Sequence, residues 1–271
     1  MELRTLIYEK LNGVGTITFN RPERMNAVTP QMCADLKEIL DIIEADDELR
    51  CIVLTGAGSA FSAGGDKDTI NEFHTMGPPA SRRLLQRSTR PMRQLYMLEK
   101  VTIAKVNGDA VGGGASFALA CDFVVAAEKA RFGFVFSNIG IIPDMGCMYF
   151  LPRIVGLRTA KKLVFEGNIF SAEEALKLGI VSEMVASEEL DSAVNSLAER
   201  MTSRPKDSLG LMKNIMQKGM EMDLEALLER EVEAQSLLWK TEDHKEGFQA
   251  LLERRKPNFN LKSKKGGNHE K

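Results

Sequence analysis

Three consecutive glycines, Gly112-Gly113-Gly114, separate the β-branched run Val101-Thr102-Ile103-Ala104-Lys105-Val106 from the apolar stretch Ala115-Ser116-Phe117-Ala118-Leu119-Ala120. The order reads strand, tight turn, helix. A helix N-terminus entered in this way aims unused backbone N–H groups, and the positive end of the helix dipole, at whatever lies above it. A second glycine turn, Phe61-Ser62-Ala63-Gly64-Gly65-Asp66, follows another strand-like run, Cys51-Ile52-Val53-Leu54-Thr55. Two such turns are able to present two N–H donors to one oxygen, the arrangement of an oxyanion hole. Either turn alone marks only a closely packed corner.

The chain around these turns alternates strands and helices. Leu3–Glu9 and Gly13–Phe19 read as a hairpin closed by Lys10-Leu11-Asn12-Gly13. Thr29-Pro30 supplies a cap and a proline at the first helical position, and Gln31–Ala45 carries Met32, Leu36, Ile39, Leu40 and Ile43 on one face. Residues 67–100 read as a polar helix, a break at Met76-Gly77-Pro78-Pro79, and one long basic helix through Arg82, Arg83, Arg87 and Arg93. Asp122–Ala126 and Ala130–Phe134 are expected as short strands around Glu128-Lys129. A capping box at Ser171-Ala172-Glu173-Glu174 starts a helix that stops at Gly179, with a strand over Ile180–Val185. A strand pair thus twice precedes a helix, the pattern of repeated ββα units. From Ser187 onward the pattern is wholly helical, over 188–202, 205–218, 224–239 and 242–255. Leu224, Leu227, Leu228, Val232, Leu237, Leu238 and Trp239 carry too much apolar surface to leave in water, so these helices pack either on the core or on a neighbouring subunit.

A net charge of −2 gives no basic field for nucleic acid. The basic residues Arg254, Arg255, Lys256, Lys262, Lys264 and Lys265 instead crowd the C-terminus, where a solvated tail is expected. Cys33, Cys51, Cys121 and Cys147 are too scattered for a metal site or a disulfide framework, so reduced thiols and a cytoplasmic location are expected. No apolar run approaches the roughly 20 residues needed to cross a bilayer.

Several segments together resemble one family. Asn20-Arg21-Pro22-Glu23-Arg24-Met25-Asn26-Ala27, Ala60–Asp66 and Val106-Asn107-Gly108-Asp109-Ala110-Val111-Gly112-Gly113-Gly114 are similar to motifs of the enoyl-CoA hydratase/isomerase (crotonase) superfamily. So are Ala120-Cys121-Asp122, Ala130-Arg131-Phe132-Gly133, Leu151-Pro152-Arg153 and Lys245-Glu246-Gly247-Phe248, all in collinear order. The resemblance implies an α/β fold, a spiral of ββα units with a C-terminal helical trimerisation region. On this chain that gives a core with the acyl-CoA site over 1–187, helices for oligomerisation over 188–260, and a disordered basic tail over 261–271. It also implies a homotrimer or a dimer of trimers, and a CoA thioester that is itself the substrate, with no separate cofactor and no metal. Matched to the motifs, Gly65 and Gly113 would hold the thioester oxygen. Arg24, Met25, Ala27, Ala63, Gly64 and Asp66 would line the adenosine and pantetheine path, and Gly112 and Phe136 would contact substrate. Asp66 reads equally as an ordinary helix cap.

The reaction is less constrained than the family. Hydratases of this superfamily use two glutamates, and the matching positions here are Ser116 and Phe136. One acid remains nearby: Ile139-Gly140-Ile141-Ile142-Pro143-Asp144-Met145-Gly146 places Asp144 on a turn flanked by Ile142, Met145 and Phe150. It reads either as the N-cap of a helix over Met145–Leu151 or as a general base with its pKa raised by apolar walls. The segment is similar to that of the phenylacetate-pathway enoyl-CoA isomerases, and dienoyl-CoA isomerases carry an aspartate at the matching place. A double-bond shift needs only one carboxylate. Isomerisation is therefore the leading expectation, hydration through Asp144 and a held water the alternative, and a weakly active CoA-thioester-binding subunit the non-enzymatic rival. His74 reads as a surface helix residue and Tyr149 as a packing aromatic.

Overall fold

The computed structural model describes residues 3–259, which divide into two compact units after Ala198. The first unit begins with an antiparallel hairpin, β1 (Leu6–Leu11) and β2 (Val14–Phe19). The turn is shorter than expected. Asn12 and Gly13 alone make it, both with positive φ (50° and 78°), as a two-residue hairpin requires. Helix α1 (Pro30–Ala45) starts where Thr29 accepts a hydrogen bond from the Met32 N–H at 3.1 Å, and it buries the predicted apolar face.

Three ββα passes follow. Strands β3 (Cys51–Gly56) and β4 (Ala60–Ser62) lead to α2 (Lys67–Thr75), α3 (Pro78–Ser88) and α4 (Arg90–Met97). The expected long basic helix is therefore two helices. Pro91 has no N–H to donate and would crowd the Arg87 carbonyl, so the chain breaks at Thr89. Strands β5 (Val101–Val106) and β6 (Asp109–Val111) then lead to α5 (Gly113–Leu119). Strands β7 (Phe123–Ala127) and β8 (Arg131–Gly133) lead to α6 (Cys147–Val155) and α7 (Leu157–Glu166). Strand β9 (Ile169–Ser171), α8 (Ala172–Lys177) and β10 (Glu183–Val185) close the series before α9 (Leu190–Thr202). Only the last three residues of the expected strand over Ile180–Val185 pair.

The strands form two sheets, in the orders β1-β2-β3-β5-β7-β10 and β4-β6-β8-β9. Each pass places its first strand in the larger sheet and its second in the smaller. The two short strands expected around Glu128-Lys129 are present, and they belong to different sheets. Central strand β3 is buried at all six positions, as a parallel strand covered on both faces should be. Phe19 packs against Phe61 and Phe117, with centroids 5.6 and 5.2 Å away, directly behind the two glycine turns.

The second unit contains α10 (Lys206–Gly219), α11 (Leu224–Leu238) and α12 (Glu242–Glu253). Asp223 caps α11 and Thr241 caps α12. On α11 only Ala234 is fully buried, while Leu224, Leu228, Val232 and Leu237 are exposed, as is Trp239 just beyond it. The expected core boundary after residue 187 precedes the observed division, which falls within α9. The tail assigned to 261–271 lies outside the described residues.

Candidate active site

Both glycine turns leave the C-terminal ends of neighbouring strands in the smaller sheet. Strands β4 and β6 run parallel, with Ala60 opposite Asp109 and Ser62 opposite Ala110, so the turns emerge side by side. Their contact admits no side chains. Gly64 has φ +90°, and a Cβ there would lie 2.7 Å from the Val111 carbonyl oxygen. A Cβ on Gly114 would lie 2.7 Å from that of Ser62. Gly112, φ +54°, starts α5 by donating its N–H to the Gly133 carbonyl at 2.8 Å. The next N–H, of Gly113, lies in the first turn of α5, where helical N–H groups have no intrahelical acceptor. On the other turn, the Val28 N–H donates to the Gly64 carbonyl and the Asp66 N–H to the Val28 carbonyl, at 2.7 and 3.0 Å. This bridge brackets Gly65 and leaves its N–H out of the pairing. Among the described residues, neither Gly65 nor Gly113 donates its N–H to a protein acceptor.

The turn over residues 21–27 is held onto the first of these by fully buried Asn26. Its amide donates to the Ala57 and Ala60 carbonyls at 2.9 and 2.8 Å, and its Oδ1 accepts from the Arg21 N–H at 2.9 Å. Met25 and Asn26 both adopt positive φ (50° and 55°), and the Ala63 N–H donates to the Met25 carbonyl at 2.9 Å. Arg24 is exposed and pairs with Asp68 at 3.2 Å, whereas Ala27 is buried. Asp66 caps α2 by accepting from the Asp68 and Thr69 N–H groups at 3.0 and 3.3 Å, and it pairs with Arg21 at 3.0 Å. Burial alone would raise its carboxyl, but the Thr69 N–H and the Arg21 guanidinium outweigh that and hold it below the usual carboxylate range.

Asp144 does not cap the following helix. That helix starts at Cys147, and its cap position is Gly146 (φ 83°), which makes no side-chain capping bond. The Asp144 backbone carbonyl instead accepts from the Cys147 N–H at 3.0 Å and from the Ser116 hydroxyl of α5 at 3.2 Å. The next residue, Met145, is buried with φ 52°, and its Cγ lies 3.7 Å from where a Gly113 Cβ would be. Asp144 is therefore held beside the first turn of α5. Met145 and Phe150 are buried as expected, but Ile142 is 76% exposed and forms no wall. Burial raises the Asp144 carboxyl above its ordinary value, partly offset by its own backbone N–H. The Cys33 and Cys147 thiols also sense this carboxylate. Burial first, and the Asp144 charge as a further cause, push both up to about 12, so neither is a thiolate at neutral pH.

Phe136 is buried, and its Cζ lies 3.9 Å from where a Gly112 Cβ would be. Tyr149 is a packing aromatic, edge-on to Tyr96 and Phe150 and covered by the Arg153 guanidinium at 3.6 Å. His74 is exposed on α2. Among the described residues no group of side chains is arranged to hold a metal ion, and no helix is long and apolar enough to cross a membrane.

The model of the enoyl-CoA hydratase/isomerase family matches residues 9–262. The chain belongs to that family. It is 39% identical to a 1,2-epoxyphenylacetyl-CoA isomerase of Escherichia coli (strain K12) over 91% of this chain and 95% of that one. It is 35% identical to a short-chain-enoyl-CoA hydratase of Clostridium acetobutylicum over 94% and 97% of the two chains. The crystal structure of an enoyl-CoA hydratase/isomerase from Cupriavidus metallidurans CH34 superposes with a TM-score of 0.91 at 30% identity, covering 96% of this chain and 97% of that one.

As a member of the enoyl-CoA hydratase/isomerase family the chain is an acyl-CoA enzyme with the crotonase fold. Sequence reasoning brought together Gly64, Gly65, Gly112, Gly113, Phe136 and Asp144, but it gave no structural role to Arg21, Asn26 or Ser116. Asn26 carried a signal, because asparagine tolerates the left-handed conformation that a sharp turn needs. Ser116 stood out only as a position where the family's hydratases carry a glutamate, and nothing in a serine within an apolar helix points to a bond with a carbonyl 28 residues on.

Proposed function

We propose that this chain is an enoyl-CoA isomerase that moves one proton with Asp144 while Gly65 and Gly113 hold the thioester oxygen. The observation that supports this most is the pairing of two unused N–H groups, on adjacent turns, with a single half-buried carboxyl beside the same helix terminus. The two positions where family hydratases carry glutamates hold a buried hydroxyl and a buried phenyl, Ser116 and Phe136. In a 3-enoyl thioester the Asp144 carboxylate takes a proton from C2, and the electron pair spreads onto the thioester oxygen. Two fixed N–H donors stabilise that charge without reorganisation, each contributing about 3–4 kcal/mol. The same carboxyl then returns the proton to C4, the pair re-forms the double bond between C2 and C3, and the carboxylate is regenerated.

The CoA moiety would run along Arg24, Met25, Ala27, Ala63 and Gly64, with Asp66 bracing that turn and Gly112 and Phe136 against the acyl end. The exposed apolar face of α11 fits burial in a homotrimer or a dimer of trimers. A net charge of −2 and four cysteines outside any disulfide fit a cytoplasmic enzyme with no nucleic-acid or membrane target. The relative named as a hydratase supports a second reading, water addition with Asp144 as the only acid. The test is a screen of 3-enoyl-, 2-enoyl- and dienoyl-CoA thioesters, with an epoxidised aryl-CoA added because of the Escherichia coli relative. Isomerisation leaves mass unchanged and hydration adds one water. Binding of every thioester without turnover of any would identify a binding subunit instead.

A further inference from the structure

We propose that Ser116 is a positioning residue that ties Asp144 to the helix carrying the Gly113 N–H. The inference rests on the reading of Asp144 as the base and adds what holds it. Ser116 is fully buried, and its hydroxyl lies 3.3 Å from the Gly112 carbonyl, one helical turn back, and 3.2 Å from the Asp144 carbonyl, 28 residues on. The first contact is the ordinary bond of a helical serine to its own preceding turn. The second is not local. Both acceptors are carbonyls, so the single hydroxyl proton serves either or both, and the serine oxygen keeps lone pairs of its own. The buried Cys147 side chain also lies within reach of Ser116, so the serine stands at the point where α5 meets the start of α6. Cys147 also reaches Asp144 through its backbone, its N–H donating to the same carbonyl at 3.0 Å. Two donors from two different helices therefore converge on one carbonyl oxygen.

The backbone between them needs such a clamp. Met145 is held at φ 52° and Gly146 at φ 83°, two successive left-handed residues, the first with a bulky side chain. A non-glycine residue in that conformation is strained and persists only where its surroundings over-determine it. Ser116 lies three residues after Gly113, so one hydrogen bond fixes the Asp144 backbone to the helix turn that presents the thioester-facing N–H. Proton transfer at carbon depends steeply on such placement, and a displacement of about 1 Å can cost about 100-fold.

The test compares Ser116→Ala, Ser116→Cys and Asp144→Asn in the full chain, using 3-hexenoyl-CoA as the probe. The readouts are kcat, KM, the pH dependence of kcat, exchange of the probe's C2 protons with deuterated water, and Tm. Removing the hydroxyl leaves each carbonyl with its backbone donor, so Ser116→Ala should fold with an unchanged Tm. Its kcat and C2 exchange should fall together by roughly 10- to 100-fold at unchanged KM, as expected of a misplaced base, and the acid limb of the pH profile should shift. Ser116→Cys, with a weaker donor of similar size, should fall between alanine and the parent. Wild-type kinetics in Ser116→Ala while Asp144→Asn is inactive would overturn the positioning role and leave the base standing. So would a loss of rate that follows a loss of Tm with no change in the pH profile. An active Asp144→Asn, or a parent enzyme that neither isomerises nor exchanges the probe, would overturn the base and this inference together.

Discussion

Gly114→Ala tests how closely the two glycine turns must approach. In an ordinary exposed helix this substitution stabilises by about 1 kcal/mol. Here the added Cβ would collide with the Ser62 carbonyl oxygen and lie 2.7 Å from the Ser62 Cβ and 2.9 Å from its carbonyl carbon. Opening the 2.7 Å approach to an ordinary 3.4 Å separates the two backbones by at least about 0.7 Å. Overpacking of that size costs about 1–3 kcal/mol, and in a chain of this length each kcal/mol lowers Tm by roughly 2–4 °C. The functional cost is larger. The same movement pulls the Gly65 N–H away from the Gly113 N–H, so one oxygen can no longer meet both, and losing one such donor costs about 100- to 1,000-fold in kcat. Thermal unfolding and steady-state turnover of an enoyl-CoA thioester would be measured beside Gly77→Ala, whose Cβ meets only Pro79 Cδ at 4.0 Å. If Gly114→Ala keeps both the Tm and the turnover of the parent, the turns are not in the register described and the pairing of donors fails.

Asp144→Asn should retain CoA-thioester binding by calorimetry while losing roughly 100- to 10,000-fold in turnover, the usual contribution of a positioned base. Because burial raises the Asp144 carboxyl, protonation in the folded state begins above the ordinary aspartate range; kcat should fall as pH drops through that raised value. The same shift has a stability sign: the folded chain holds this proton more tightly than the unfolded chain, so ionisation costs stability as pH rises through the window, and Asp144→Asn should raise Tm at neutral pH. Gly113→Pro deletes one N–H at a position where proline suits the helix start, so a folded variant that turns over normally would contradict the donor assignment. Sedimentation should give a multiple of three subunits at micromolar concentration, and a stable monomer would refute the reading of the α11 face.

Much of this architecture is legible in the residues themselves. The capped helix after Thr29, strands β3 and β5 and the helix after Ser171 all follow from local rules that the folded chain obeys, whereas the short strands β4 and β6 that lead directly into the glycine turns do not stand out in the sequence. The misreadings share a cause. Pro91 breaks what looks like one long basic helix because it disrupts the turn before it; the strands on either side of Glu128-Lys129 are close in sequence, yet the chain passes from one sheet to the other between them. At the site, the glycines were recognisable because only glycine survives such close approach. What Asp144 does not do was not readable: capping is decided by where α6 begins, two residues later than its apolar pattern suggested. The Asn26 and Ser116 bonds span 34 and 28 residues, and no local pattern encodes contacts of that reach.

Strands β4 and β5, which flank the three helices over residues 67–97, are each fixed in their own sheets, β4 against β6 and β5 against β3 and β7. Neither register depends on what the chain does between them. No residue of α2 or α3 is fully buried; Pro91, Met92 and Leu95 of α4 are. The part of that excursion in α2 and α3 can lengthen, shorten or change composition at small cost to the rest of the molecule, since loop entropy grows only slowly with length, whereas α4 is tied to the core. The turns that carry the Gly65 and Gly113 N–H groups have no such freedom. A chain with this architecture can therefore change through α2 and α3 while its glycine corners stay as they are.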